Sequence, residues 1–500
     1  MKRHRPGRMI LFILLSFSAL AAERAVIYLR LTDSLTLDPG KTEDFFSQEV
    51  LFNVFEGLVR LNESTVAVEP CLAESWQETE NGRRWIFHLR RGVRFHNGMV
   101  CDARAVVYSF SRRIQKRLGE YAPFGKVFPF IAAVKARDDW TVEIILTRPY
   151  FSFLFSLVDQ RASVVAPGTM DGPEFRPIGT GPFAFSEWAR GKSLVLVRNE
   201  HYWQRRASLA KVIFTCAPNE ALRLAQIKNF AADIDFIRSA KEYEELLGKA
   251  GIGFLVEPKP ITYYLGFNCR RAPFSLLPAR RAFAHLLDKK VLVKQVFQNL
   301  AVAAVGMLPP QMAGFVPGSP DREFSPGRAR RLLSEAGIGG GFSCSLYYSQ
   351  GQFGIEEMAR AIAAAARRIH VTVNPVKLPF DRLLRAVQNG EPDLFLVGWG
   401  YTVDAGIFLN PLFMLYPGGP GNAMAAGPEF GRLLAKAEAT SDDGKRRELY
   451  AAAERRLRED LPLIPLFHLN HVMAYNLRLR NLRMNPLGFL VFKDAVLAAE

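Results

Sequence analysis

Leu72 to Phe110 reads LAESWQETENGRRWIFHLRRGVRFHNGMVCDARAVVYSF. After Trp76 comes a polar turn, Glu78-Thr79-Glu80-Asn81-Gly82. Trp85, Phe87 and Leu89 then alternate with Ile86, His88 and Arg90, the period of two that a half-buried strand requires. The Asn81-Gly82 pair suits a tight hairpin whose central residues need positive φ. A second turn signal, Asn97-Gly98, follows Val93-Arg94-Phe95-His96. Asp102 stands where a cap would, its carboxylate placed to accept the free N–H groups at the start of a helix from Ala103 to Tyr108. These residues dictate a small hairpin followed by a helix.

The order of the side chains says more. Leu72 to Trp76 and Leu89 to Gly98 resemble the signature of the bacterial extracellular solute-binding proteins of family 5, which capture dipeptides, oligopeptides, nickel complexes and related ligands for ABC importers. Four further blocks follow in family order: Leu37-Asp38-Pro39, Gly179 to Phe183, Gly398-Trp399 and Leu461 to Leu466. The resemblance implies an α/β fold, a two-lobe periplasmic-binding-protein clamp (type II, cluster C-like) with an extra inserted α/β domain on the first lobe. It also implies that the insert lies outside the cleft.

The N-terminus carries Lys2, Arg3, Arg5 and Arg8, then an apolar run from Met9 to Leu20 and Ala19-Leu20-Ala21. A basic n-region, a short apolar h-region and an Ala-x-Ala site read as a secretory signal peptide over residues 1–21. The run is short of the roughly twenty residues that span a bilayer, so a periplasmic mature protein is expected. The formal charge of +16 falls to +12 once those four cations leave. Basic balance can serve nucleic acid or anionic membrane, but the clusters here are short pairs such as Arg112-Arg113 and Arg367-Arg368 with acids nearby. Solvated helix faces account for them, and export excludes nucleic acid. Five cysteines, Cys71, Cys101, Cys216, Cys269 and Cys344, show no CxxC spacing, and at least one stays a free thiol.

Strands alternate with helices in both halves, which predicts α/β lobes with largely parallel sheets. The expected division is 22–44, 171–260 and 472–500 for the first-lobe core, 45–170 for the insert and 261–471 for the second lobe. Pro258, Lys259 and Pro260 restrict the backbone between two α/β regions and mark a hinge. Two final strands, Leu463 to Leu469 and Val472 to Tyr475, would return the chain to the first lobe.

Catalytic devices are missing: there is no G-x-S-x-G, no H-E-x-x-H and no dinucleotide fingerprint. Gly191-Lys192-Ser193 lacks the upstream glycine of a phosphate loop. On a strand, His468 and His471 fall on opposite faces and cannot easily share an ion. The family resemblance instead implies a ligand site from the loop Asp33, Ser34 and Leu35, which offers main-chain groups, and from Gly398, Trp399, Gly400, Tyr401, Thr402 and Asp404. An ordinary strand-to-helix turn is the other reading of the loop. Where family dipeptide binders hold the α-ammonium with an Asp, this chain has Thr402, and Asp404 takes over only if the loop bends. Where they grip the carboxylate with an Arg, the segment Tyr347 to Phe353 has no basic residue. Tyr348 is placed in the site with the other aromatic residues, core packing being the alternative.

The expected function is capture of a peptide or peptide-like small solute and its delivery to the transmembrane subunits of an ABC permease. The chain acts as a monomer, without cofactor, resident metal or covalent chemistry. A metal chelate or haem-like guest is the alternative on the same fold. A ligand sensor or a periplasmic hydrolase are the readings from other classes.

Overall fold

The hairpin expected around Asn81-Gly82 forms as its residues dictate. This computed structural model describes residues 25–498, apart from 170, 172–173, 299, 313–314, 316–322, 401, 414–423 and 425–426. The leader at 1–21 and Tyr401 lie outside the described residues. Strands Ala73–Thr79 and Arg84–Leu89 pair antiparallel, Trp76 opposite Phe87 and Glu78 opposite Trp85. Gly82 takes φ +81°, which costs a residue without Cβ little. Trp85, Phe87 and Leu89 are buried, each contributing about 1.5–3 kcal/mol by leaving water. Strands Ile131–Asp138 and Thr141–Leu146 complete a four-stranded sheet. The helix Ala103–Gln115 starts where Asp102 accepts the Ala105 N–H at 3.0 Å.

Twelve strands form one long sheet, centred on a single 14-residue strand, Leu463–Asn476, where two strands were expected. Its first half pairs with Ile261–Phe267 and Ala301–Ala303, its second with Ile252–Pro258 and Ile234–Phe236. Leu394–Gly400, Phe342–Ser349 and Val371–Leu378 extend the sheet on the second-lobe side. Ala25–Arg30, Lys211–Cys216, Ser193–Arg198 and Phe183–Ala189 extend it on the first. The sheet is mixed rather than largely parallel. Parallel pairing is confined to Ala25–Arg30 with its two neighbours and Phe342–Ser349 with its two. Elsewhere the pairs are antiparallel; one is closed by the short turn Arg190-Gly191-Lys192, and most join strands far apart in the chain.

Two stretches cross between the lobes side by side, Pro258–Pro260 and the middle of the long strand. Both prolines lack an N–H, so Lys259 alone can donate here, and it does so to Leu469 O at 2.9 Å. One apolar core joins the first lobe to the insert, with Val26 and Phe214 continuous with Phe87 and Phe110. In the second lobe Leu394 and Leu396 pack on one face of the sheet, Phe395 and Val397 on the other, the period of two again. All five cysteines are free, and no helix among the described residues is long and apolar enough to cross a membrane.

The insert touches the second lobe. Phe151 N–H donates to Glu438 O at 3.1 Å, and Arg148 Nη1 lies 3.0 Å from Glu438 Oε2.

Candidate functional site

The signature residues that reveal the fold turn out to hold the scaffold together. The Gly179 N–H donates to His96 Nδ1 at 3.2 Å, and His96 Nε2 contacts Gly181 O at 3.0 Å. Burial draws the His96 imidazole down to about 4, so it stays neutral there. Glu56 accepts from Thr180 Oγ1, Tyr202 OH and Trp203 Nε1, each at 2.8 Å, tying the Gly179 block to Asn199–Trp203. At Gly179 a Cβ would meet Val54 O at 2.1 Å, so only glycine lets the chain pass the end of the helix Phe45–Val54.

The expected site residues divide into those left partly exposed and those committed to structure. Asp33 accepts from Trp188 Nε1 at 2.9 Å, Gly191 N at 2.7 Å and Ser34 N at 2.8 Å, so its carboxylate fastens the loop to a neighbouring hairpin. Ser34 is buried, donating to Phe46 O at 3.1 Å. Leu35 is 74% exposed and is the one that projects. Tyr348 is 5% exposed and packs in the second-lobe core, because Cys344, Leu346 and Tyr348 share the inner face of their strand. That corrects its placement in the site.

Asp404 is corrected too. It is 1% exposed, and Oδ1 accepts the Gly406 and Ile407 N–H groups at 2.9 and 3.0 Å, capping the helix Ala405–Phe413. Burial pushes its carboxyl up, with Arg446 opposing. Its Oδ1 is thus committed to the helix cap, while the residue borders a cavity between insert and second lobe. Thr402 accepts from Asp404 N at 3.4 Å and is half-buried.

Gly398, Trp399 and Gly400 are half-buried at the end of their strand. Ile261–Phe267 pairs with the whole of Leu394–Gly400, whereas Phe342–Ser349 pairs only as far as Leu396. Val397 to Gly400 therefore keep one edge without a strand among the described residues. Trp399 Nε1 donates to Phe408 O at 2.7 Å, which fixes its ring over the adjoining helix.

Sequence reasoning missed what faces this strand end. Val403 packs with Leu487 and Phe489, against Phe45 and Phe52, so the second lobe meets an aromatic cluster of the first. Phe45 stacks on Phe489 at 4.9 Å and on His471 at 5.1 Å, and Phe236 lies 5.9 Å from Phe45. The Phe45-Phe46 pair at a helix start was the available signal. His468, on the other face, contacts Thr262 Oγ1 at 3.1 Å. No group of three or more His, Cys, Asp or Glu among the described residues is placed to hold a metal ion. Beyond Val403, a cavity of about 750 Å³ opens between insert and second lobe, lined by Trp76, Phe151, Phe155, Met312 and Phe315 among others.

Two α/β lobes joined by paired crossings, with an insert on the first, make the type II periplasmic-binding-protein fold. Residues 67–417 match the family model of the bacterial extracellular solute-binding proteins, family 5 (middle region), and the chain belongs to that family. It is 27% identical over 472 residues to heme-binding protein A of Haemophilus influenzae, covering 88% of this chain and 86% of that one. To the dipeptide-binding protein of Escherichia coli it is 27% identical over 466 residues, 87% of each chain. Among solved structures, HbpA2 from Haemophilus parasuis superposes with a TM-score of 0.86 at 26% identity, over 95% of this chain and 100% of that one.

Proposed function

We propose that this protein is the substrate-binding component of an ABC importer: exported to the periplasm, it captures a peptide or peptide-like small solute between its lobes and hands it to the membrane permease. The observation that carries the reading is the open edge of Val397 to Gly400. Main-chain N–H and C=O groups at a strand edge are a template for an extended guest, which pairs as one more strand. Trp399 lies at that edge, and the lobes close over it about Pro258–Pro260 and the middle of the long strand, bringing the loop Asp33 to Leu35 towards the guest. The limits expected from the sequence, 45–170 for the insert and 261–471 for the second lobe, are kept with it. The chain acts as a monomer and does no covalent chemistry. A haem-like or chelate guest is the second reading, supported by a cavity of about 750 Å³ whose lining combines aromatic residues with Arg446 and Arg447, a volume within the range of small-molecule sites.

Thermal unfolding in the presence of candidate solutes tests this. A guest at one hundred times its dissociation constant stabilises by about 2.7 kcal/mol. Short peptides, the N-acetylated ones foremost, are expected to produce that shift. A shift with haemin or nickel–histidine alone would transfer the protein to the second reading, and no shift with any of them would overturn both.

A further inference from the structure

Where the lobes meet, one cation stands without a counter-ion. Lys259, held between two prolines, extends over the Phe236 ring with Nζ 5.4 Å from its centre. The side chain is half-buried, and no acidic side chain among the described residues pairs with it. Glu257, two residues earlier on the same stretch, forms no ion pair with it. Burial alone draws the ammonium down to about 8, with no acid opposing. Attraction to one aromatic face is weaker than the desolvation it has to offset.

A second group beside it is also unsatisfied. His471 is fully buried, and neither ring nitrogen has a hydrogen-bond partner. Its ring stacks on Phe45 and meets Phe236 edge-on at 6.1 Å, so it shares with Lys259 the aromatic wall that faces Val403. The lysine charge pushes the imidazole further below its usual range. Buried polar groups are ordinarily paired; His471 is sealed beneath Gly488, where a Cβ would lie 2.5 Å from its Nε2, so Lys259, half-buried and without an acid, is the group left to take an acceptor. The acids expected to face a positive guest are occupied elsewhere: Asp33 fastens its loop and Asp404 caps a helix.

We propose that Lys259 is the carboxylate-binding residue of the cleft, and that the cargo is a solute with a free acidic group, an apolar or aromatic body and no free α-ammonium, laid against Phe45, Phe46 and Phe236. This deepens, and rests on, the reading of the cleft as a solute site. A nearby ammonium on the guest would meet Lys259 with like charge and find no carboxylate to pair with.

Calorimetric titration of the mature chain with four probes tests it: N-acetyl-Ala-Phe, its C-terminal amide, free Ala-Phe and free Ala-Phe amide. Wild type is expected to bind N-acetyl-Ala-Phe at least about ten-fold tighter than the other three, the scale of a desolvated charge-assisted bond. Lys259→Met should erase the preference for acid over amide, Lys259→Arg should keep most of it, and Lys259→Met should unfold no earlier than wild type. Equal binding of acid and amide to wild type, or a preference surviving in Lys259→Met, overturns the role of Lys259 and leaves the solute reading standing. Failure of all four probes to bind wild type overturns the proposed cargo class. If the broader peptide screen also shows no shift, the peptide reading falls with it.

Discussion

Glu49→Gln is expected to stabilise the protein by about 3 kcal/mol near pH 8 relative to its effect near pH 4. Glu49 is fully buried on the helix Phe45–Val54, accepting from Tyr28 OH and Leu490 N at 3.4 Å each. Burial pushes its carboxyl from 4.5 to about 7, with Arg30 pulling the other way. The sign follows from linkage: the unfolded chain releases this proton first, so stability is full below about 4.5 and is lost as pH rises towards 7. Glutamine keeps the shape and removes the titration. Asp235, raised to about 6 by burial, remains and leaves a smaller slope in the variant. Urea denaturation at the two pH values reads the difference, and parallel stability curves for the two proteins would contradict it.

Arg148→Met is expected to weaken solute binding roughly thirty-fold by releasing the insert from the second lobe. Glu438 is 5% exposed; Arg148 and the Asn410 side-chain amide are its polar partners, and burial pushes its carboxyl up, with Arg148 opposing and Asp404 adding to the rise. Removing one partner of a buried pair costs about 3–5 kcal/mol. Because the Arg148 side chain is 40% exposed and screened, about 2 kcal/mol is the appropriate scale here. Methionine keeps an unbranched chain over Phe130, where the guanidinium carbon sits 3.9 Å from the ring centre. If the bridge forms only when the lobes are closed, its loss raises the open population by that free energy. Small-angle scattering should then show a larger unliganded molecule. An unchanged scattering profile together with unchanged affinity would mean that the contact plays no part in closure.

Local chemistry was legible in the sequence and long-range geometry was not. Asn81-Gly82 and Asp102 act within a few residues of themselves, so their turn and cap could be read directly. The same cap rule applied to Asp404, ahead of Ala405-Gly406-Ile407, would have shown that its carboxylate is spent on a helix. Likewise the alternation Cys344, Leu346, Tyr348 already placed Tyr348 inside. The 14-residue strand was divided in two because Asn470-His471 interrupts an apolar run, and nothing local says that a histidine there is buried among phenylalanines. Mixed pairing also escaped, since register is decided by partners hundreds of residues away. Lys259 was legible as part of a hinge, but its lack of an acid is a property of the folded surroundings.

The central claim is that a guest pairs with the open edge at Val397 to Gly400 and is covered by the loop Asp33 to Leu35. Hydrogen–deuterium exchange of the mature chain, with and without saturating N-acetyl-Ala-Phe, tests it most directly. The account predicts slowed exchange concentrated in peptides spanning 394–404 and 31–37, with the outer strands of both lobes unchanged. Protection confined to another surface, with 394–404 exchanging as in the free protein, would contradict it.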